Sequence, residues 1–167
     1  MKKINTQVPD QDERNLSLDI NQSILCEAPA GSGKTELLTQ RFLKLLAVVE
    51  RPEQVWAITF TRKAVAEMRE RILSALEGAK TEKPKENHKQ LSWQLARNVL
   101  LRDKKMQWQL TKYPNRLKIQ TFDSLNSVLS QSLPFSSNFG VLYNREDNSD
   151  LLYQQAANDL LIDENLN

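Results

Sequence analysis

The sequence has one cysteine, Cys26, and one histidine, His88, in 167 residues. A single cysteine excludes an intrachain disulfide and a cysteine metal cluster. A single histidine excludes a multi-histidine metal site and argues against a histidine-based triad. Long apolar runs are also missing. None approaches the eighteen or so consecutive residues that a membrane span needs. The opening Met1-Lys2-Lys3-Ile4-Asn5-Thr6-Gln7 is basic but has no apolar stretch behind it, so it does not read as a secretory signal. These absences fit a cytoplasmic protein with no membrane partner.

What is present is ordinary in bulk and uneven in detail. Apolar residues make up 40% and charged residues 26%, which suits a globular domain. The length suits one compact domain, or one domain with a helical insertion. Net charge is only +2, yet residues 80–118 hold eleven Lys/Arg against three Asp/Glu. From residue 144 onward, one Arg faces six acids. A basic middle suits a polyanionic partner, and it equally suits a solvated helical face.

The patterning alternates strands and helices. Residues 23–27 (Ser-Ile-Leu-Cys-Glu) form a short apolar run ending in a glycine turn, which reads as a buried strand. Leu38, Phe42, Leu45 and Leu46 then recur at helical spacing, so a helix starts near Gly33 or Lys34. Arg51-Pro52 breaks the chain. Residues 55–60 read as a second strand, and Val65, Met68, Ile72 and Leu76 mark a second amphipathic helix. Residues 77–86 read as a loop, 91–101 as helix and 116–122 as a third short strand. Asp123 is the expected cap of a helix carrying Leu125, Val128 and Leu129. Residues 134–140 read as loop and 151–162 as helix. This order belongs to an α/β protein with a parallel sheet and covering helices.

Ala28-Pro29-Ala30-Gly31-Ser32-Gly33-Lys34-Thr35 matches the phosphate-binding P-loop, with Ala28 in place of the first glycine. Small residues let backbone N–H groups curl around a phosphate, and the following helix points its positive end at the anion. Lys34 is expected to reach the β- and γ-phosphates of ATP, and the Thr35 hydroxyl to bind Mg²⁺. Glu36, next on the helix, is expected with residues 28–35 among the nucleotide-binding residues. The motif specifies a ligand class and not a job, because kinases, GTPases, transporters and helicases share it.

The neighbouring segments narrow the choice. Residues 58–72, Ile-Thr-Phe-Thr-Arg-Lys-Ala-Val-Ala-Glu-Met-Arg-Glu-Arg-Ile, closely resemble motif Ia of the UvrD/Rep-like superfamily 1 helicases. Ile119-Gln120-Thr121-Phe122-Asp123-Ser124-Leu125 is similar to that family's next DNA-contacting motif. Residues 27–35, Glu-Ala-Pro-Ala-Gly-Ser-Gly-Lys-Thr, look like the RecB/AddA branch, as does Leu133-Pro134 followed by Phe139-Gly140.

The resemblance implies a RecA-like 1A motor segment over residues 1–131, with a mostly helical insertion at 84–115 and the start of a helical 1B subdomain over 132–167. It implies single-stranded DNA contacts by Phe60, Thr61 and Arg62 after one strand, and by Thr121, Phe122 and Asp123 after the next. The family's usual Asn is Arg62 here, so a base or sugar contact would become a phosphate contact. An aromatic beside hydroxyls and a cation is also what a stacking, backbone-tracking surface needs. The alternative for both phenylalanines is core packing at strand ends. An adenine contact is expected from Gln11 or Arg14, although Glu13 lies nearer the family register.

Further implied partners are the remaining helicase domains and a nuclease partner protein, in DNA repair and recombination. Leu160-Leu161-Ile162-Asp163-Glu164 has the form of the acidic motif that completes such a motor. It reads instead as the continuation of a helix, so the segment alone is expected to be inactive. Two alternatives differ in class: a small stand-alone P-loop enzyme using Asp163 and Glu164, and a non-catalytic module derived from the motor.

Overall fold

The computed structural model describes residues 11–132, with helical backbone also at 150, 153–154 and 156–157. The last two pairs lie in the expected helix of 151–162. The expected loop at 134–140 and the acidic segment at 160–164 lie outside the described residues. The chain divides into two units, Met1–Asn126 and Ser127–Asn167. The first holds the elements that follow, except that the last helix runs across the division.

Among the described residues the α-helices and strands follow in the order α1 Gln11–Ser17, α2 Lys34–Leu46, β1 Trp56–Thr59, α3 Arg62–Gly78, α4 Asn87–Met106, β2 Lys118–Thr121 and α5 Phe122–Ser132. Among the described residues the sheet has two strands. They run parallel, with Trp56 opposite Lys118 and Thr59 opposite Thr121. A parallel pair needs a long crossover, and α3 and α4 supply it. One sheet face, carrying Ala57 and Ile119, turns to the core, where α3 contacts both strands. On the other face, Trp56 and Ile58 stay half exposed.

The core draws on every layer. Leu43 and Leu46 of α2, Ile72 and Leu76 of α3, and Val99 of α4 are fully buried with Leu110 and Leu117, and Ile119 is nearly so. Each such side chain is worth about 1.5–3 kcal/mol relative to exposure. Burial also explains where the helices outrun the expectation. Helix α3 continues to Gly78 because the fully buried Leu76 and Ala79 hold its last turn in the core. Helix α4 extends four residues further at its start and five at its end than 91–101. It stops where Gln107 turns left-handed at φ 55° and the Trp108 N–H bonds back to the Asp103 carbonyl at 3.1 Å. On α2 the buried face runs through Phe42, Leu43 and Leu46, while Leu38, expected inside, is exposed.

Two expectations are corrected. Residues 23–27 are not a buried strand: they have no ladder, and Leu25 is 87% exposed. A strand persists only where a neighbour pairs with its N–H and C=O groups, and neither strand of the sheet pairs with this segment. Asp123 does not cap α5. The helix already begins at Phe122, and Thr121 takes the cap position, its Oγ1 accepting the Ser124 N–H at 3.2 Å. No helix among the described residues is long and apolar enough to cross a membrane.

Candidate nucleotide and nucleic-acid sites

The glycine turn leads straight into α2. Gly31 and Gly33 adopt φ of +79° and +88°, the left-handed region that favours glycine. A Cβ on Gly33 would stand 3.4 Å from the Arg14 guanidinium. Arg14 itself donates to the Ser32 carbonyl at 2.8 Å, so α1 braces the turn. Lys34 folds its ammonium back onto the Ala28 and Pro29 carbonyls, the latter at 2.6 Å. The Ser32 hydroxyl is buried without a partner. A cavity of about 290 Å³ opens here, with Glu13, Arg14, Cys26, Ala28, Ser32 and Lys34 on its walls.

The expected phosphate-site residues are thus mostly gathered at one place. Ala28, Ser32, Gly33, Lys34 and Arg14 share that cavity, and Pro29, Ala30 and Gly31 form the exposed outer turn. Thr35 is exposed at the head of α2. Glu36 is different: its carboxylate faces α4 and meets Ser92 and Gln40. Gln11 bonds Asn15 at 3.2 Å and is not on the cavity wall.

Pattern reading missed Arg41. It donates to the carbonyls of Ser17 at 2.6 Å, Asp19 at 3.0 Å and Gln22 at 2.7 Å. That pins the segment between α1 and the glycine turn to α2. No motif signals such a residue, because carbonyl acceptors carry no side-chain identity.

A second cluster forms where β1 and β2 end. Phe60 and Phe122, each just past its strand, bring their ring centroids to 6.5 Å with the planes tilted by 33°. Both are surface groups and not core: Phe60 is 87% exposed and Phe122 49%. Thr61 and Thr121 each begin a helix. The Thr61 hydroxyl accepts the Ala64 N–H at 3.1 Å, and the Thr121 hydroxyl is buried against Ser124. Arg62 and Asp123 are exposed in the first turns that follow. The surface therefore offers two rings, one guanidinium and the first turns of two helices.

The basic stretch contributes less to this surface than its charge suggests. Arg97, Arg102 and Arg116 bond to carbonyls of Ala79, Val49 and Trp108. Lys80 and Lys89 pair with Glu77 and Glu86 at 2.7 and 2.5 Å. Arg116 and Lys118 also stand where β2 begins, whereas the two rings stand where the strands end. The Arg116 hydrogen bond to Glu53, 2.7 Å long, holds the Glu53 carboxyl below its ordinary pKa and raises that of the guanidinium.

A glycine turn feeding a helix, together with a parallel strand pair and its covering helices, makes this a mixed α/β domain. Residues 9–165 match the UvrD/REP helicase N-terminal domain, and the chain belongs to that family. Its relatives include three bacterial proteins named as ATP-dependent helicase/nuclease subunits. That of Clostridium novyi is 37% identical over 87 residues, covering 50% of this chain and 7% of the relative. That of Anoxybacillus flavithermus is 43% identical over 70 residues, covering 40% and 6%. That of Levilactobacillus brevis is 48% identical over 54 residues, covering 32% and 4%. The chain thus matches only a small fraction of the length of these relatives. No solved structure matches it.

Proposed function

We propose that this chain is the ATP-binding N-terminal segment of an ATP-dependent DNA helicase or helicase–nuclease, acting on cytoplasmic DNA in repair and recombination. In this reading residues 1–131 form a RecA-like P-loop motor segment with a helical insertion at 84–115, and 132–167 begin a 1B-like subdomain. The exposed strand-like run at 23–27 finds its ladder in strands from the rest of the motor. The implied partners are single-stranded DNA, those remaining domains and a nuclease protein.

The residues present fit a nucleoside triphosphate. The ammonium of Lys34 rests on neutral carbonyls that a phosphate would displace, because a charge-assisted bond to an anion is stronger. The main-chain N–H groups of residues 31–36 point the head of α2 at the anion, and the buried Ser32 hydroxyl gains an acceptor. The Thr35 hydroxyl would hold Mg²⁺, which would offset the charge of the phosphates. Arg14, on the cavity wall, is the better candidate than Gln11 for the base and ribose. The activating glutamate and the arginines of a second motor domain have no assignment in this chain, so this segment alone turns over little ATP.

The observation that carries the helicase reading is the Phe60–Phe122 pair. Two motifs far apart in sequence place exposed rings side by side at the ends of adjacent strands. Surface aromatics are costly in water unless a partner covers them, and a base stacked on such a ring is worth about 1–3 kcal/mol. Arg62 and the first turns of α3 and α5 supply phosphate contacts alongside.

Fluorescence anisotropy with a labelled oligothymidylate tests this. Each of Phe60→Ala and Phe122→Ala is expected to weaken binding by about tenfold. Every phosphate neutralised should add a slope of about −0.7 to log K against log salt. Wild-type affinity in both variants would remove the stacking surface.

A further inference from the structure

Glu36 poses an electrostatic problem. It lies in the first turn of α2, where the helix N-terminus carries partial positive charge. A carboxylate there stabilises the helix, but it competes for the same field as a phosphate anchored by Lys34 and the glycine turn. The structure turns the group aside. Glu36 Oε1 accepts the Ser92 hydroxyl at 2.5 Å and the Gln40 amide at 3.2 Å. The same Gln40 amide donates to Ser92 Oγ at 2.9 Å, closing a three-residue ring.

Gln40 is one turn further along α2 and only 9% exposed, so the ring is seated in packed structure. Ser92 comes from α4, fifty-six positions away in the chain. The carboxylate lines a separate cavity of about 500 Å³ with Thr39, Glu67, Glu70, Arg71 and Ser92, and it is absent from the wall of the cavity at Lys34.

We propose that Ser92, with Gln40, is a positioning residue for the nucleotide site: it holds the Glu36 carboxylate away from the phosphates and joins α4 to the phosphate-binding helix. The ligand it favours is the more highly charged one, so the clamp discriminates triphosphate from diphosphate. A Ser92 side chain without the hydroxyl frees one anchor of the carboxylate, which then reaches toward the head of its own helix. Repulsion grows with the charge of the ligand and falls with salt. The inference rests on ATP binding at Lys34, as proposed above.

The test is a double-mutant cycle on the full chain, with Mg·ATP and Mg·ADP titrated calorimetrically into wild type, Ser92→Ala, Glu36→Gln and the double variant. Ser92→Ala is expected to weaken ATP about fivefold, the scale of a carboxylate at a helix terminus, and ADP less. The loss should vanish when Glu36→Gln is already present, and Ser92→Thr, which keeps the hydroxyl, should restore binding. Melting curves of all variants identify any that fail to fold, and Ser92→Thr then carries the comparison with Glu36→Gln.

A purely architectural Ser92 would act on stability and on both nucleotides alike. A loss that persists undiminished in the Glu36→Gln background, or wild-type ATP affinity in Ser92→Ala, overturns the clamp. A wild-type chain that binds neither nucleotide overturns the clamp together with the function it rests on, whereas Lys34-dependent binding that ignores Ser92 overturns the clamp alone.

Discussion

Thr61 and Thr121 show how one residue serves two levels at once. Both fall in segments that resemble helicase DNA-contacting motifs, and both spend their hydroxyls on the first turn of the helix behind them. In the proposed nucleic-acid surface they would therefore fix the backbone from which Phe60, Arg62, Phe122 and Asp123 project. Thr61→Ala should cost about 1 kcal/mol of stability, the usual worth of a cap, read from urea melts; Thr61→Ser should recover most of it. An alanine variant as stable as wild type would remove the capping role. At this scale the sequence makes Gly31, Gly33 and Lys34 legible, because a phosphate loop needs those residue types at fixed spacing. Glu36 was legible as a neighbour of the loop, but the direction of its carboxylate was not. That direction is set by Ser92, from a helix folded back from far along the chain. Arg41 was invisible for a similar reason, since its three partners are main-chain carbonyls.

Elements that could be read from the sequence were those whose burial is local. Helix α3 follows its apolar periodicity, because the face carrying Ile72 and Leu76 is the face the core covers, and the apolar run of β1 has β2 as its pairing partner. Residues 23–27 have the composition of a strand but no neighbour to pair with, and composition cannot report a missing partner. The fastening of the two strands was equally hidden. Glu53 in the turn before β1 and Arg116 in the turn before β2 form an ion pair at 2.7 Å, with both side chains about one-third exposed. The Arg116 hydrogen bond lowers the folded-state pKa of Glu53 below its ordinary 4.5. The pair's stabilisation is therefore complete above the unfolded value and is lost as pH falls through the lower folded one. With that exposure it amounts to at most about 1 kcal/mol. Wild type should melt slightly above Glu53→Gln at neutral pH, with the gap closing in acid below the ordinary carboxylate range. A gap that stays constant into strong acid would mean that Glu53 acts through packing and not through charge.

On the scale of the whole molecule, the family membership and the two clusters agree. Among the described residues, a glycine turn stands at the head of α2 and an exposed ring pair at the ends of β1 and β2. In the proposed reading the division of labour is physical: the first site would present N–H donors and an ammonium to an anion, and the second flat apolar surface beside a guanidinium. The order of the motifs pointed to the residues that the fold gathers at the head of α2 and at the ends of the two strands. The basic stretch at 80–118 was a poorer guide, because five of its eleven cations bond within the fold: Arg97, Arg102, Arg116, Lys80 and Lys89.

The most direct measurement is isothermal titration of Mg·ATP into the wild-type chain and into Lys34→Ala. Removing a cation that faces the phosphates should weaken binding by at least about tenfold, as loss of a charge-assisted hydrogen bond does, with the melting temperature of the free protein nearly unchanged. Equal affinity in the two proteins, or no binding by the wild type at millimolar nucleotide, would contradict an ATP site at this glycine turn.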